Sequence, residues 1–287
     1  MEAREKKLEQ IVDWAEKNPA IRVVLLTSSL VNPYAPVDDF SDLDIELVFE
    51  NMKEYEADKK WIELFGKPIS MIEEDETFFE GKHAMKMVLY EDHVKVDFKL
   101  YSKSEFIEET QQEILNEDWD VGYKVLIDKD NLTENLKPPT YESIMIQKPT
   151  EQRFQQLIND FWWDTTYVAK CLKRGDLFYA KVMSENVIRT EYFVPLLEWY
   201  IASGYNWEKI TTNKHGRLFK KYLPPELWER IEMTFSGSNI EDNWNALLAF
   251  ADLVHEIGTE LSEKMNYIYP AQTEKEVRKY LHKVKNL

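Results

Sequence analysis

Three carboxylates carry the chemistry that this sequence could do. Asp42-Leu43-Asp44-Ile45-Glu46-Leu47 alternates acid with aliphatic, the period-two pattern of a strand with one buried face. Asp42 and Asp44 therefore project side by side just after a loop, and two carboxylates that close repel unless a cation lies between them. A divalent ion answers that need, and Mg2+ is typically held by one or two carboxylates together with substrate phosphates. Taken alone, an Asp-x-Asp pair also fits an ordinary solvated strand face. Asp97 adds a third carboxylate, on the polar face of Lys95-Val96-Asp97-Phe98-Lys99. On a neighbouring strand it would complete a two-metal site. One ion would hold a nucleotide's phosphates and the other would lie near an attacking hydroxyl, whose proton Asp97 could accept. The alternative for Asp97 is a cross-strand ion pair with a nearby lysine, worth little energetically.

The elements that must position these acids read as a mixed sheet followed by helices. Leu8, Ile11, Val12 and Ala15 stand at helical spacing within residues 4–17, ahead of Pro19. Ile21-Arg22-Val23-Val24-Leu25-Leu26 is a strand that stops at Thr27-Ser28-Ser29. Residues 30–41, with Asn32, Pro33, Pro36, Asp38 and Asp39, form a loop leading to Asp42. A crossover helix is predicted over 53–65, ending at Gly66, and a short strand over 67–72. Met85–Tyr90 and Val94–Tyr101 flank Glu91-Asp92-His93 as a hairpin, followed by a helix near 103–115 and a strand near 122–128. The character changes at Leu136-Lys137-Pro138-Pro139 and again at Lys148-Pro149. Beyond them Phe154, Leu157, Ile158, Phe161, Trp162, Val168 and Leu172 mark one stripe of a helix over 150–174. Further helices are expected near 176–203, 224–235, 240–266 and 273–285. The expected fold class is α+β, in two domains, 1–149 with a mixed sheet and flanking helices and 150–287 all helical, with a cleft between the halves.

Composition excludes several functions. With 36 basic and 53 acidic residues the chain of 287 has a formal charge of −17, which argues against a nucleic-acid partner, since phosphate contacts need a basic surface. The charge fits either solubility or attraction of a cationic small substrate. Hydrophobic residues at 44% supply a sizeable core, so the chain is no disordered acidic tail. A single cysteine, Cys171, allows no intrachain disulfide and no zinc-thiolate cluster, and shows no nucleophile's partners. Together with a charged N-terminus that lacks an apolar signal core, this points to the cytoplasm. No apolar run approaches the roughly 18 residues of a membrane helix. The 8 glycines form neither a phosphate-cradling loop ending in Lys-Ser/Thr nor a Gly-x-Gly-x-x-Gly turn. His83, His93, His215, His255 and His282 are scattered without metal-ligand spacing, and Trp162-Trp163 reads first as bundle core. Oligomeric state is not legible.

Several segments together resemble the aminoglycoside 6-adenylyltransferases, the streptomycin-modifying branch of the polymerase-β-like nucleotidyltransferase superfamily, nearly end to end. They are Asp39-Phe40-Ser41-Asp42-Leu43-Asp44-Ile45, Trp61-Ile62-Glu63-Leu64-Phe65-Gly66-Lys67, Lys95-Val96-Asp97-Phe98, Val125-Leu126-Ile127-Asp128-Lys129-Asp130 and Lys148-Pro149-Thr150. In the second half they are Asn159-Asp160-Phe161-Trp162, Thr166-Tyr167-Val168-Ala169-Lys170, Trp199-Tyr200-Ile201-Ala202 and Tyr222-Leu223. The resemblance implies a nucleotidyltransferase domain followed by a helical domain. It also implies ATP as co-substrate, Mg2+, and transfer of AMP to an aminoglycoside hydroxyl with pyrophosphate leaving. By position Asp42 and Asp44 match the metal-binding pair, Asp97 the third carboxylate and Ser29 the serine of a Gly-Ser-Arg turn that meets the triphosphate. Lys170 and Lys214 fall where basic residues are expected to reach phosphates, beside His215 in the second case. Asp160, Asp164 and Glu185 are the acids expected to bind amino or guanidino groups of the cationic sugar, the first two on one helix face. The turn departs from the family: Ser28-Ser29-Leu30 replaces its glycine and its arginine. That leaves open a divergent relative that binds nucleotide without turnover, or one that uses another acceptor such as a lincosamide or a protein hydroxyl.

Overall fold

The computed structural model describes Glu2–Leu287. The chain divides into two compact units, Met1–Ile144 and Met145–Leu287. Among the described residues no helix is long and apolar enough to cross a membrane.

The first unit is built on six strands: β1 Ile21–Thr27, β2 Leu43–Phe49, β3 Pro68–Glu74, β4 Ala84–Tyr90, β5 Lys95–Ser102 and β6 Tyr123–Asp128. Their order in the sheet is β3-β4-β5-β2-β1-β6. Strands β2 and β5 run parallel; the other neighbours are antiparallel. The helices are α1 Glu2–Lys17, α2 Met52–Ala57, α3 Lys103–Thr110 and α4 Glu117–Asp120. The central strands are buried on both faces, hence their near-continuous aliphatic runs. One face packs Leu43, Ile45, Leu47, Val96, Phe98 and Leu100 against Ile11, Ala15, Trp61 and Phe65. The other packs Val23, Leu25, Val48 and Tyr101 against Phe106 and Trp119. That second cover lies over the far ends of β2 and β5. At their near ends the same face holds Asp44 and Asp97, partly exposed.

The helix expected over 53–65 is broken. Helix α2 stops at Ala57, and a 3-10 turn forms over Ile62–Phe65. The Asp58 side chain accepts a bond from the Lys60 N–H at 3.0 Å, a local turn that competes with helix. Trp61 then stacks on Trp14 with centroids 5.3 Å apart, so aromatic packing holds the break. Helix α3 likewise ends at Thr110, five residues before the expected limit, and a separate short helix, α4, follows Asn116, whose side chain caps it.

Gly122 supports the turn after β1. Its φ is +119°, and a Cβ there would lie 3.0 Å from the carbonyl oxygen of Val31, in the segment that follows Ser28–Leu30. Gly122→Ala is expected to destabilise the chain by about 1–3 kcal/mol, because φ strain and a backbone clash add. A urea melt in which the variant matches the parent would show that the loop yields without cost.

The second unit is helical throughout. It contains α5 Glu151–Arg174, α6 Leu177–Lys181, α7 Val194–Gly204, α8 Phe219–Tyr222, α9 Pro225–Glu232, α10 Ile240–Met265 and α11 Ala271–Asn286. Thr150 caps α5, and Gly175 ends it in the left-handed conformation. The helix expected over 176–203 is continuous in path but takes π-helical pitch over Val182–Phe193, a rare form at this length. The widened stretch runs up to Pro195, which cannot donate an i→i−4 bond.

Candidate active site

The sheet brings the three predicted acids of the first unit together. Asp42 is the last residue before β2, Asp44 the second residue of β2 and Asp97 the third of β5. Asp44 and Asp97 are direct partners in the parallel β2–β5 pair. Like charges facing each other across a ladder are unfavourable, and burial sharpens the conflict. Burial first, then the charges of Asp97 and Asp42, push the Asp44 carboxyl up to about 6, against the opposing pull of a Ser28 hydrogen bond and the Lys95 charge. Asp97 Oδ1 is buried and has no hydrogen-bond partner among the described residues.

The Lys95 ammonium lies among these acids. Its Nζ donates to Asp42 Oδ2 at 3.0 Å and to Asp97 Oδ2 at 2.9 Å. Burial works against the charge, yet the bonds to Asp97 and Asp42 hold the ammonium above the usual lysine value. Asp97 thus has a lysine partner, though on its own strand instead of across strands as the rival explanation has it; the cross-strand contact of this lysine goes to Asp42. The signal of the same-strand pair in the sequence is spacing: Lys95 and Asp97, two apart on one strand, share a face.

One layer further along the same face, Glu46 is buried beside Lys99. Trp119 Nε1 donates to Glu46 Oε2 at 2.7 Å, and burial pushes this carboxyl up to about 7. Glu46 is thus held by the helical cover and anchors the strand that carries Asp44.

The predicted phosphate turn is adjacent. Ser28–Leu30 is a single 3-10 turn straight after β1. Ser28 sits at φ 61°, a left-handed conformation that glycine adopts without cost and serine does not. It lies close enough to Asp44 to pull that carboxyl down against its burial, and its carbonyl accepts the N–H groups of Val31 and Asn32 at 3.2 and 3.1 Å. Ser29 is half-buried beside it. Leu30 packs onto the first core, so an apolar side chain stands where a cation was expected.

The remaining predicted residues lie in the helical unit. Asp160 and Asp164 share a face of α5, and Tyr192 donates to Asp164 Oδ2 at 2.7 Å. Burial, the bond to Asp164 and the nearby charge of Asp160 raise the Tyr192 phenol well above its usual value. The Lys170 ammonium lies 4.1 Å from the centroid of the Tyr167 ring. Lys214 is exposed on a 3-10 turn between Asn213 and His215, both at positive φ. Glu185 is tied internally: Arg189 Nε donates to its Oε2 at 2.6 Å, while Arg189 also bonds Thr234 and stacks between Phe235 and Phe250. These ties give Glu185 a packing role that residue type alone does not reveal.

Asp42, Asp44 and Asp97 are the residues that could hold a hard divalent cation. Their donors are carboxylate oxygens, one of them buried without a partner, and their mutual repulsion calls for positive charge. As the side chains stand, Lys95 supplies that charge, and no three His, Cys, Asp or Glu among the described residues are drawn together into a metal-holding group. Around an alcohol and a phosphoryl group this arrangement offers two functions, charge neutralisation and a proton acceptor.

A family model described as streptomycin adenylyltransferase matches residues 1–284. The chain is 30% identical over 278 residues to an aminoglycoside 6-adenylyltransferase of Campylobacter jejuni, covering 96% of this chain and 93% of the relative. It is 29% identical over 276 residues to the enzyme of the same name from Bacillus subtilis, covering 94% of each. A crystal structure of an aminoglycoside 6-adenyltransferase from Bacillus subtilis aligns over 98% of both chains at 24% identity, with a TM-score of 0.48.

Proposed function

The chain belongs to the streptomycin adenylyltransferase family, and from that premise we propose that it transfers AMP from ATP to a hydroxyl of an aminoglycoside such as streptomycin, with Mg2+ as the cation. The observation that carries this reading is the Asp44–Asp97 pair across β2 and β5, with Asp42 beside it and the Ser28 turn against it.

The acceptor oxygen attacks the α-phosphorus, the bond from that phosphorus to the bridging oxygen of pyrophosphate breaks, and pyrophosphate leaves. Asp97 takes the acceptor hydroxyl's proton; its Oδ1 has no competing partner. Asp42 and Asp44 would hold one cation, and Asp97 would also bind a second. When bound, Mg2+ supplies charge neutralisation at the phosphates. The Ser28-Ser29 turn orients the triphosphate through backbone and hydroxyl groups, and Lys170 and Lys214 are the helical unit's proposed phosphate partners. Asp160 and Asp164 are its proposed carboxylates for a cationic sugar. Most of the rate gain comes from positioning and preorganised charge.

Pyrophosphate release from ATP and Mg2+ tests the reading: it is expected with at least one aminoglycoside, streptomycin first. No release across a panel of aminoglycosides would overturn it. Ser28 at positive φ and the apolar Leu30 favour one second reading, nucleotide binding without turnover. Calorimetry showing ATP and Mg2+ binding with no pyrophosphate would establish that alternative.

A further inference from the structure

We propose that Lys95 is a displaceable counter-ion of the acid group, its ammonium and an incoming divalent cation competing for Asp42 and Asp97. The proposal rests on reading these carboxylates as a cation site. The geometry supporting it is specific. Lys95 Nζ bonds one oxygen of each acid, at 3.0 and 2.9 Å, while Asp97 Oδ1 is left buried and unpartnered. One ammonium has bound both acids through their Oδ2 atoms and leaves lone pairs unused, which a cation of higher charge and coordination number would take. The lysine side chain is 40% exposed, and it starts at the first residue of β5, so its flexible stem can swing towards solvent when displaced. The hydrogen bonds of Lys95 go to Asp42 and Asp97 and not to Asp44.

The consequence is an acid group whose negative charge is partly neutralised, by one ammonium against three carboxylates, before any divalent cation enters. Without Lys95 the three carboxylates would face one another with no cation; with it, the nucleotide-free chain keeps the acids in place, and divalent affinity is lowered by the competition. The ammonium released on cation entry is then available to an anion arriving with the metal, which couples cation binding to nucleotide binding.

The test is calorimetric titration of Mg2+, and separately Mn2+, into the full, nucleotide-free chain. Lys95→Met keeps the apolar stem and removes the charge. It is expected to bind the divalent cation about tenfold more tightly, equivalent to removing one nearby unit charge in a partly solvated site. Lys95→Arg, which keeps the charge, is expected to stay within about threefold of the parent, and Asp97→Asn to lose most of the affinity. If Lys95→Met fails to fold by circular dichroism, Lys95→Gln takes its place. Equal or weaker cation binding in the uncharged variant, tightening by Lys95→Arg as large as that by Lys95→Met, or no divalent binding in either parent or variant would overturn the proposal. Absence of pyrophosphate release would overturn only the adenylyl-transfer reading, since none of these titrations depends on turnover.

Discussion

Asp97→Asn is expected to lower adenylyl transfer by about 10³-fold while the chain stays folded, the scale of a lost proton acceptor with its charge. The two halves of this expectation have separate causes. The amide keeps the shape of the carboxylate but cannot accept the hydroxyl proton, so the chemical step suffers. Stability is expected to stay within about 1 kcal/mol of the parent, because two small effects oppose each other. The variant gives up charge attraction to a Lys95 that is 40% exposed, a contact worth about 0–1 kcal/mol. It also removes a like charge facing Asp44 across the ladder. Steady-state kinetics and a urea melt on one preparation read both. An unchanged turnover number would remove Asp97 as the base, and collapse of the fold would make its role structural.

Asp44→Asn is expected to raise stability at pH 7.5 by about 2–3 kcal/mol. The carboxyl is pushed from 3.8 to about 6 in the folded chain, by burial first and by the charges of Asp97 and Asp42 second. A folded-state pKa above the unfolded one means that the folded chain retains a proton which the unfolded chain has released. The stability linked to this proton is fully present below about pH 4 and is lost as pH rises to about 6, at about 1.4 kcal/mol for each pH unit crossed. Above that window the ionised group is a net cost, which asparagine removes while keeping the shape of the side chain. Denaturation curves at pH 4 and pH 7.5 check this: the variant should match the parent at the lower pH and exceed it at the higher. A variant less stable at pH 7.5 would show that Asp44 is held by attractive contacts instead of repelled. Such a gain on removal is the expected trace of a residue kept for binding at the expense of stability.

The three acids are legible in the sequence because strand alternation places side chains on faces without help from tertiary structure. Asp42-x-Asp44 and Lys95-x-Asp97 each show a shared face, and the parallel pairing of β2 with β5 then makes neighbours of residues more than fifty positions apart. That pairing is a long-range fact, which local pattern does not contain. Lys95 shows the same limit. A cross-strand lysine pair and the acid group read as rival explanations of Asp97, whereas the fold sets a lysine of the same strand inside the group. The departure at Ser28 is legible as a residue type, while its φ of 61° and its influence on the Asp44 carboxyl emerge only when the turn closes against β2. In the helical unit periodicity finds the helices but not their pitch, and the π-helical stretch over Val182–Phe193 looks like ordinary helix in composition. Glu185 illustrates why isolated acids resist assignment. Its partner Arg189 is four residues on and visible, but the Phe235–Phe250 sandwich that holds the arginine in place comes from distant segments.

Formation of a phosphoester between AMP and an aminoglycoside hydroxyl is the reaction on which every role assigned to Asp42, Asp44 and Asp97 depends. Mass spectrometry of streptomycin, and of a panel of other aminoglycosides, after incubation with the full chain, ATP and Mg2+ tests it most directly. The expected product is an acceptor that has gained one AMP, formed by the parent and not detectably by Asp97→Asn. Unmodified acceptors throughout, from a chain that binds ATP and Mg2+ in the same buffer, would contradict it.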